Sequence, residues 1–144
     1  MSSQSGSIPS IASFFESFAE ALESQSAKVM AHLHLVPTTM LSDDAYTIFS
    51  DSSKLEGFFN QGIAFYRQIG IVYVRAEVWS KTELTDRIAR VKVLWHYADA
   101  LKQPVYSCEY TYVLKLDKTN HWKIVLSISI DEKEQMEDWK QGKR

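Results

Sequence analysis

Apolar residues between positions 11 and 33 recur every three or four places: Ile11, Phe15, Phe18, Leu22, Val29 and Leu33. Phe14 and Ala19 widen this stripe, while Glu16, Glu20, Glu23 and Lys28 fall mostly off it. The period predicts one amphipathic helix of about four to six turns with a polar gap at Gln25. Ser7 or Ser10 is placed to cap it, with Pro9 in the first turn, where a missing N–H does no harm. Pro37 keeps it from running far past Leu35. After a turn at Ser42-Asp43-Asp44, the run AYTIF (45–49) is short, β-branched and aromatic, which predicts a strand. Ser53-Lys54-Leu55-Glu56 matches a capping box at the start of a second helix. Leu55, Phe58, Phe59, Gly62, Ile63, Tyr66 and Ile69 share one face of that helix, and Gly70 is a natural stop. Gly62 on this stripe reads as a point of close packing.

From Ile71 the period changes to two. Four strands are predicted, at 71–81, 86–99, 105–117 and 121–130, and their short links suit an antiparallel meander. The run DEKEQMEDWK (131–140) predicts a last short helix capped by Asp131, with Glu134 three residues on and Met136 and Trp139 facing inward. Strand register is fixed by matching apolar sets, because a one-residue slip turns every side chain over. One register joins Val72, Val74, Ala76 and Val78 to Ala89, Val91, Val93 and Trp95. These face Cys108, Tyr110, Tyr112 and Leu114, which face Ile124, Leu126 and Ile128. This inner face is apolar and the two long helices are expected to cover it. The outer face carries Tyr73, Arg75, Glu77 and Trp79; Ile88, Arg90, Lys92, Leu94 and His96; Glu109, Thr111, Val113 and Lys115; and Lys123, Val125, Ser127 and Ser129. A solvated antiparallel face is normally more uniformly polar. Pairing of two copies through this face explains the mixture.

Composition narrows the class. The chain has 144 residues and 16.6 kDa, the size of one domain. The formal net charge is −2 and the pI about 6.1, so no bulk field draws it to nucleic acid or anionic membrane. A single cysteine supplies neither an internal disulfide nor a Cys-rich zinc site. The polar start MSSQSGS is expected to be a disordered tail over 1–7 rather than a secretory signal. With no apolar run near the roughly 20 residues of a membrane span, a cytoplasmic location is expected.

A helix, a short strand, a second helix and a curved meander form an α+β cone. The order resembles the nuclear transport factor 2-like (NTF2-like, cystatin-like) superfamily, including its SnoaL-like and ketosteroid isomerase-like members. The local match lies in SDDAYTIFSD (42–51), FFNQGIAFYRQ (58–68) and HWKIVLSISI (121–130), which look like that superfamily's turn and strand, its second helix and its last strand. The likeness covers about residues 8–131, leaving 132–144 as a C-terminal helix or tail. It implies helices packed on a curved antiparallel meander, a conical pocket between them, and frequent use of the outer sheet face for dimers. The superfamily holds isomerases, dehydratases and cyclases beside non-catalytic binding modules. Its isomerases place an aspartate base near the end of the strand after the DDA turn. Here that place reads Thr47-Ile48-Phe49-Ser50, with Asp51 the nearest carboxylate, and the predicted inner sheet face carries no acid.

Tyr46, Tyr66, Tyr110 and Tyr112, with Trp95 and Cys108, are the candidate pocket residues. Tyrosine joins an apolar body to a polar tip, which suits a flat, partly polar ligand. Cys108 among apolar strands reads as an inert buried thiol. His34, Tyr46, Asp51 and Tyr66 are the candidates for proton transfer, in a lyase or isomerase. His32 and His34 are two apart, but no third ligand is fixed beside them, so no metal is expected, and no cofactor motif occurs. The expected protein is a homodimer binding a small apolar molecule, without a convincing catalytic constellation. Trp79, Ile88, Arg90, Leu94, Glu109 and Val125 mark the expected dimer face. The alternatives are the proton-transfer enzyme and a protein-association module working through the outer face.

Overall fold

Ser10 accepts a hydrogen bond from the Ser13 N–H and starts α1 (Ile11–Glu23), whose phenylalanines face inward. The computed structural model describes residues 8–142, so the tail expected over 1–7 lies outside the described residues. The single first helix expected from the apolar period is in fact two. Gln25, in the polar gap, takes a left-handed backbone with φ of 62°, and the Ser26 N–H turns back to the Ala21 carbonyl. Ser26 then caps a short α2 (Ala27–His32). The chain does not remain helical to Leu35. It enters β1 (His34–Leu41), a strand the helical reading missed, because Leu33, Leu35 and Val36 are apolar in either period. Pro37, which lacks an N–H, falls in the interval between His34 and Thr39 where pairing to the neighbouring strand is interrupted.

A turn at residues 42–45 leads to β2 (Tyr46–Phe49), antiparallel to β1. The second helix, α3 (Ser52–Gln68), starts one residue before the expected capping box. Asp51 is its cap, accepting from the Ser53 N–H at 2.7 Å and the Ser53 hydroxyl at 3.0 Å. Gly70, with φ of 90°, follows the helix end as expected. The meander comprises β3 (Tyr73–Thr85), β4 (Ile88–Ala98), β5 (Pro104–Leu116) and β6 (Trp122–Ser129), and α4 (Glu132–Gly142) folds back over it. The six strands lie in the order β2-β1-β6-β5-β4-β3, all antiparallel except the β1–β6 pair. The fold is α+β, helices on a mostly antiparallel sheet.

The expected inner register holds from β3 to β5, where Val78 pairs with Val93 and Val93 with Tyr110. It fails in β6. Leu114 pairs with Ile124, but Val113 pairs with Leu126, so Val125 is an extra residue, a β-bulge. Beyond it the faces invert. Ser129 lies beside Tyr110 and Ser127 beside Tyr112, on the inner side, while Leu126 and Ile128 lie beside Val113 and Thr111, on the outer side. Trp79 is a second extra residue, between the Val78–Val93 and Ser80–Lys92 pairs, and is exposed. Neither Val125 nor Trp79 therefore holds the regular outer-face position expected of it.

Aromatic rings join helix to sheet. Phe18 meets Trp95 edge-on at 5.1 Å, and Phe15 lies 5.1 Å from Tyr112. Leu55, Val91, Val93, Leu114 and Ile124 are fully enclosed. Buried with them is His34, whose Nδ1–H donates to the Met30 carbonyl at 2.8 Å. Burial pushes its pKa down to about 4, against the opposing effect of that backbone bond. The ring is neutral in the folded protein at pH 7, while the unfolded chain protonates near 6.5. Its contribution is complete above pH 6.5 and is lost as the pH falls toward 4, by about 3 kcal/mol. Urea unfolding of the wild type and His34→Gln between pH 7 and about 4 is expected to show a steeper acid loss in the wild type. Equal slopes would refute the assignment.

Candidate functional site

The helices and the sheet enclose a cavity of about 300 Å³. Phe18 of α1, Met30 of α2, Met40 of β1, Phe59 and Ile63 of α3 and Trp95 of β4 make much of its apolar wall. Most of this wall follows from the helix and strand periods. The α3 stripe faces the sheet, and Thr47 and Phe49 of β2 alternate onto the same side. Gly62 lies at the wall without being closely packed: a Cβ placed there meets nothing within 4 Å. The expected close approach is open space.

One end of the cavity is polar. Tyr66, Tyr97, Tyr110, Ser129 and Glu132 border it. Glu132 is the first residue of α4. Its position is set by the preceding Asp131, whose carboxylate accepts the Glu109 N–H of β5 at 2.8 Å, and by the Ile130 N–H, which donates to the Glu109 carbonyl at 3.0 Å. Glu132 Oε2 accepts from the Tyr66 hydroxyl and, at 2.7 Å, from the Tyr106 hydroxyl; Oε1 accepts from Tyr110 at 2.5 Å. The Tyr66 proton being committed to Glu132, Tyr97 donates to the Tyr66 oxygen across 3.3 Å. Burial, with the Glu132 charge added to it, pushes the Tyr66 and Tyr110 hydroxyls well above the usual phenol range. These phenols are therefore donors, not bases. Tyr112, raised by burial, accepts the Trp95 indole N–H at 2.9 Å.

Of the candidate pocket residues Tyr66, Trp95, Tyr110 and Tyr112 border this cavity, and so does the proton-transfer candidate His34. Tyr46 does not. It pairs with Leu41 on the other side of the sheet and is 69% exposed. Alternation around Thr47 and Phe49 sends it there. Cys108 is buried in the core, outside the cavity lining, and burial raises its thiol pKa. Asp51, exposed, is spent on capping α3. His32 is exposed while His34 is buried, so the two form no pair, and among the described residues no three His, Cys, Asp or Glu side chains gather for a metal.

The sequence reading missed Tyr97 and Glu132. Tyr97 was findable, since it stands two residues past Trp95 on the same strand face. Glu132 carried no local signal. It lies in an acidic helix start, and only the return of α4 over β5 brings it to the tyrosines. Beyond the Trp79 bulge, Glu83 of β3 pairs with Ala89 on the inner side, contrary to the expectation of an acid-free face, but it is exposed and outside the cavity lining; the acid at the cavity arrives from the helix.

The model of one family, NTF2-like protein (DUF6841), matches residues 9–132. No curated protein matches the chain in sequence. Among solved structures, it is similar to an NTF2-like protein of unknown function from Shewanella oneidensis MR-1, with TM-score 0.68 and 13% identity over 84% of this chain and 96% of that one. A domain of unknown function with a cystatin-like fold from Nostoc punctiforme aligns with TM-score 0.66 and 13% identity, covering 91% of this chain and 83% of that one. A ketosteroid isomerase-like protein from Erwinia carotovora atroseptica aligns with TM-score 0.60 and 7% identity, covering 82% and 90%. At these identities the likeness is one of fold. With the family match spanning most of the sequence, this chain belongs to the NTF2-like DUF6841 family.

Proposed function

We propose that the protein binds a small, flat, mostly apolar molecule carrying one polar group in the tyrosine-lined cavity. The observation that carries this reading is the division of the cavity lining into a mainly aromatic and aliphatic wall and a hydrogen-bonded cluster around Glu132. Such a division buries a ligand's body while a few fixed groups orient it. Proton transfer is the weaker reading on the same residues. A base with a pKa of about 4 is weak at pH 7, and the one proton on neutral His34 is held by the Met30 carbonyl. Tyr66 keeps its proton, and three tyrosines occupy three of the four acceptor positions of Glu132. Tyr46 and Asp51 stand outside the cavity.

We propose further that two copies pair through the outer sheet face. The β6 bulge adds Leu126 and Ile128 to it, beside Val113, and Tyr46 and Ile48 of β2 continue it, 69% and 54% exposed. Arg90 and Lys92 share this face with Glu77 and Glu109, so a two-fold axis can set opposite charges over each other around an apolar centre. A stable pair needs about 800 Å² per partner. Among the described residues no helix is long and apolar enough to cross a membrane.

Two measurements test these readings. Titration calorimetry with 2-naphthol is expected to give a Kd on the order of 10 µM. Gly62→Leu, which fills the cavity and improves helix propensity, is expected to abolish that binding without lowering Tm. No binding by the wild type, or unchanged binding by the variant, would overturn the pocket reading. For assembly, light scattering is expected to give twice the 16.6 kDa chain mass. Leu94→Glu is expected to shift the population to monomer by placing a charge in the contact. A wild-type monomer at micromolar concentration would remove the dimer.

A further inference from the structure

Glu132 is the one formally charged side chain in the cavity lining, and among the described residues no cation is paired with it. His34, the one titratable nitrogen in the lining, is neutral at pH 7. Lys133, next in sequence, is turned to Asp44 at 2.9 Å. The charge of Glu132 is met by three hydroxyl donors and by its place in the first turn of α4, where the helix dipole favours a carboxylate. Dipoles orient around such a charge but do not neutralise it, and a half-buried charge such as that of Glu132, partly withdrawn from water, gains from a counter-ion.

Two further observations bear on what would pair with it. Tyr66, Tyr97, Tyr110 and Trp95 line the same space, and aromatic rings attract a cation that reaches their faces. Independently, a second and more open cavity adjoins the first, sharing Ser42, Gly62, Tyr66, Ser129 and Glu132 with it. Its lining holds Asp43, Asp44, Asp131, Glu132, Glu134 and Glu137 against the single cation Lys133. A cleft lined by one sign of charge concentrates the opposite sign at its mouth.

We propose that the ligand is an apolar amine, bound as its ammonium ion, with its hydrocarbon body in the aromatic cavity and its N–H donating to the acceptor position left on Glu132 Oε1. Resting on the pocket reading above, this names the chemical class that the pocket selects. The acidic mouth draws the cation in, and the carboxylate and tyrosine faces hold it. A carboxylate-bearing ligand of the same shape is repelled at both points.

The test compares three probes of one shape by titration calorimetry at pH 7: 2-naphthylmethylamine, 2-naphthalenemethanol and 2-naphthoate. The amine is expected to bind at least about tenfold tighter than the alcohol, and the acid more weakly than either, since a charge-assisted hydrogen bond is roughly twice as strong as a neutral one. Rising ionic strength is expected to weaken the amine and spare the alcohol. Glu132→Gln is expected to lower amine affinity about tenfold or more while leaving the alcohol within about threefold. Comparison of the three probes on the wild type decides the matter even if that variant fails to fold. Alcohol binding equal to or tighter than amine binding overturns this inference and leaves the pocket reading standing. Binding of none of the three overturns both. Amine binding that survives Gly62→Leu places the amine on the acidic surface and overturns the assignment to the cavity.

Discussion

The extra residue at Val125 is the constraint on which both faces of the sheet depend. A strand of regular alternation would present Leu126 and Ile128 to the helices and Ser127 and Ser129 to the outside. The bulge reverses that. It brings Ser127 and Ser129 beside Tyr112 and Tyr110 at the cavity, and it enriches the outer face with two aliphatic side chains. Beyond the bulge β6 also carries β1 as its parallel neighbour, through the Thr39–Leu126, Met40–Ser127 and Leu41–Ile128 pairs. Met40, opposite Ser127, thereby reaches the cavity wall. Bulges bend and twist the strand that holds them, and here the bend falls where the sheet must curl around a ligand-sized space.

The second organising feature is electrostatic. An acid at the end of an aromatic cavity is costly to enclose without donors. The fold meets this by converging three tyrosines, from α3 and β5, on one carboxylate from α4, with Tyr97 of β4 bonded behind Tyr66. The network ties the last helix to the sheet and the second long helix, and it keeps every phenol in its protonated form. Its protons are committed to hydrogen bonds, three of them on Glu132.

His34 illustrates the same balance. Its position at the start of β1 puts an imidazole in the core, with one nitrogen satisfied by the Met30 carbonyl. Burial then moves its titration well below neutrality. The residue most plausible as a catalyst on sequence grounds is made a poor base by the depth at which the fold places it.

The sequence by itself determined the elements whose period is local. The α1 and α3 stripes, the meander and the inner set from Val74 to Leu114 follow from spacing over a few residues. It determined as well that Tyr66, Trp95, Tyr110 and Tyr112 share one side. The tertiary structure decided what depends on distant pairing. The strand at His34–Leu41 exists because β2 and β6 supply its hydrogen bonds, where the apolar run alone read as helix. The inversion at Val125 exists because β5 and β6 pair with one residue out of step. Glu132 joins the tyrosines because α4 turns back over β5, a contact between residues far apart in the chain. Period and composition act over one or two turns of chain, whereas bulges, added strands and returning helices are set by partners that no local window contains.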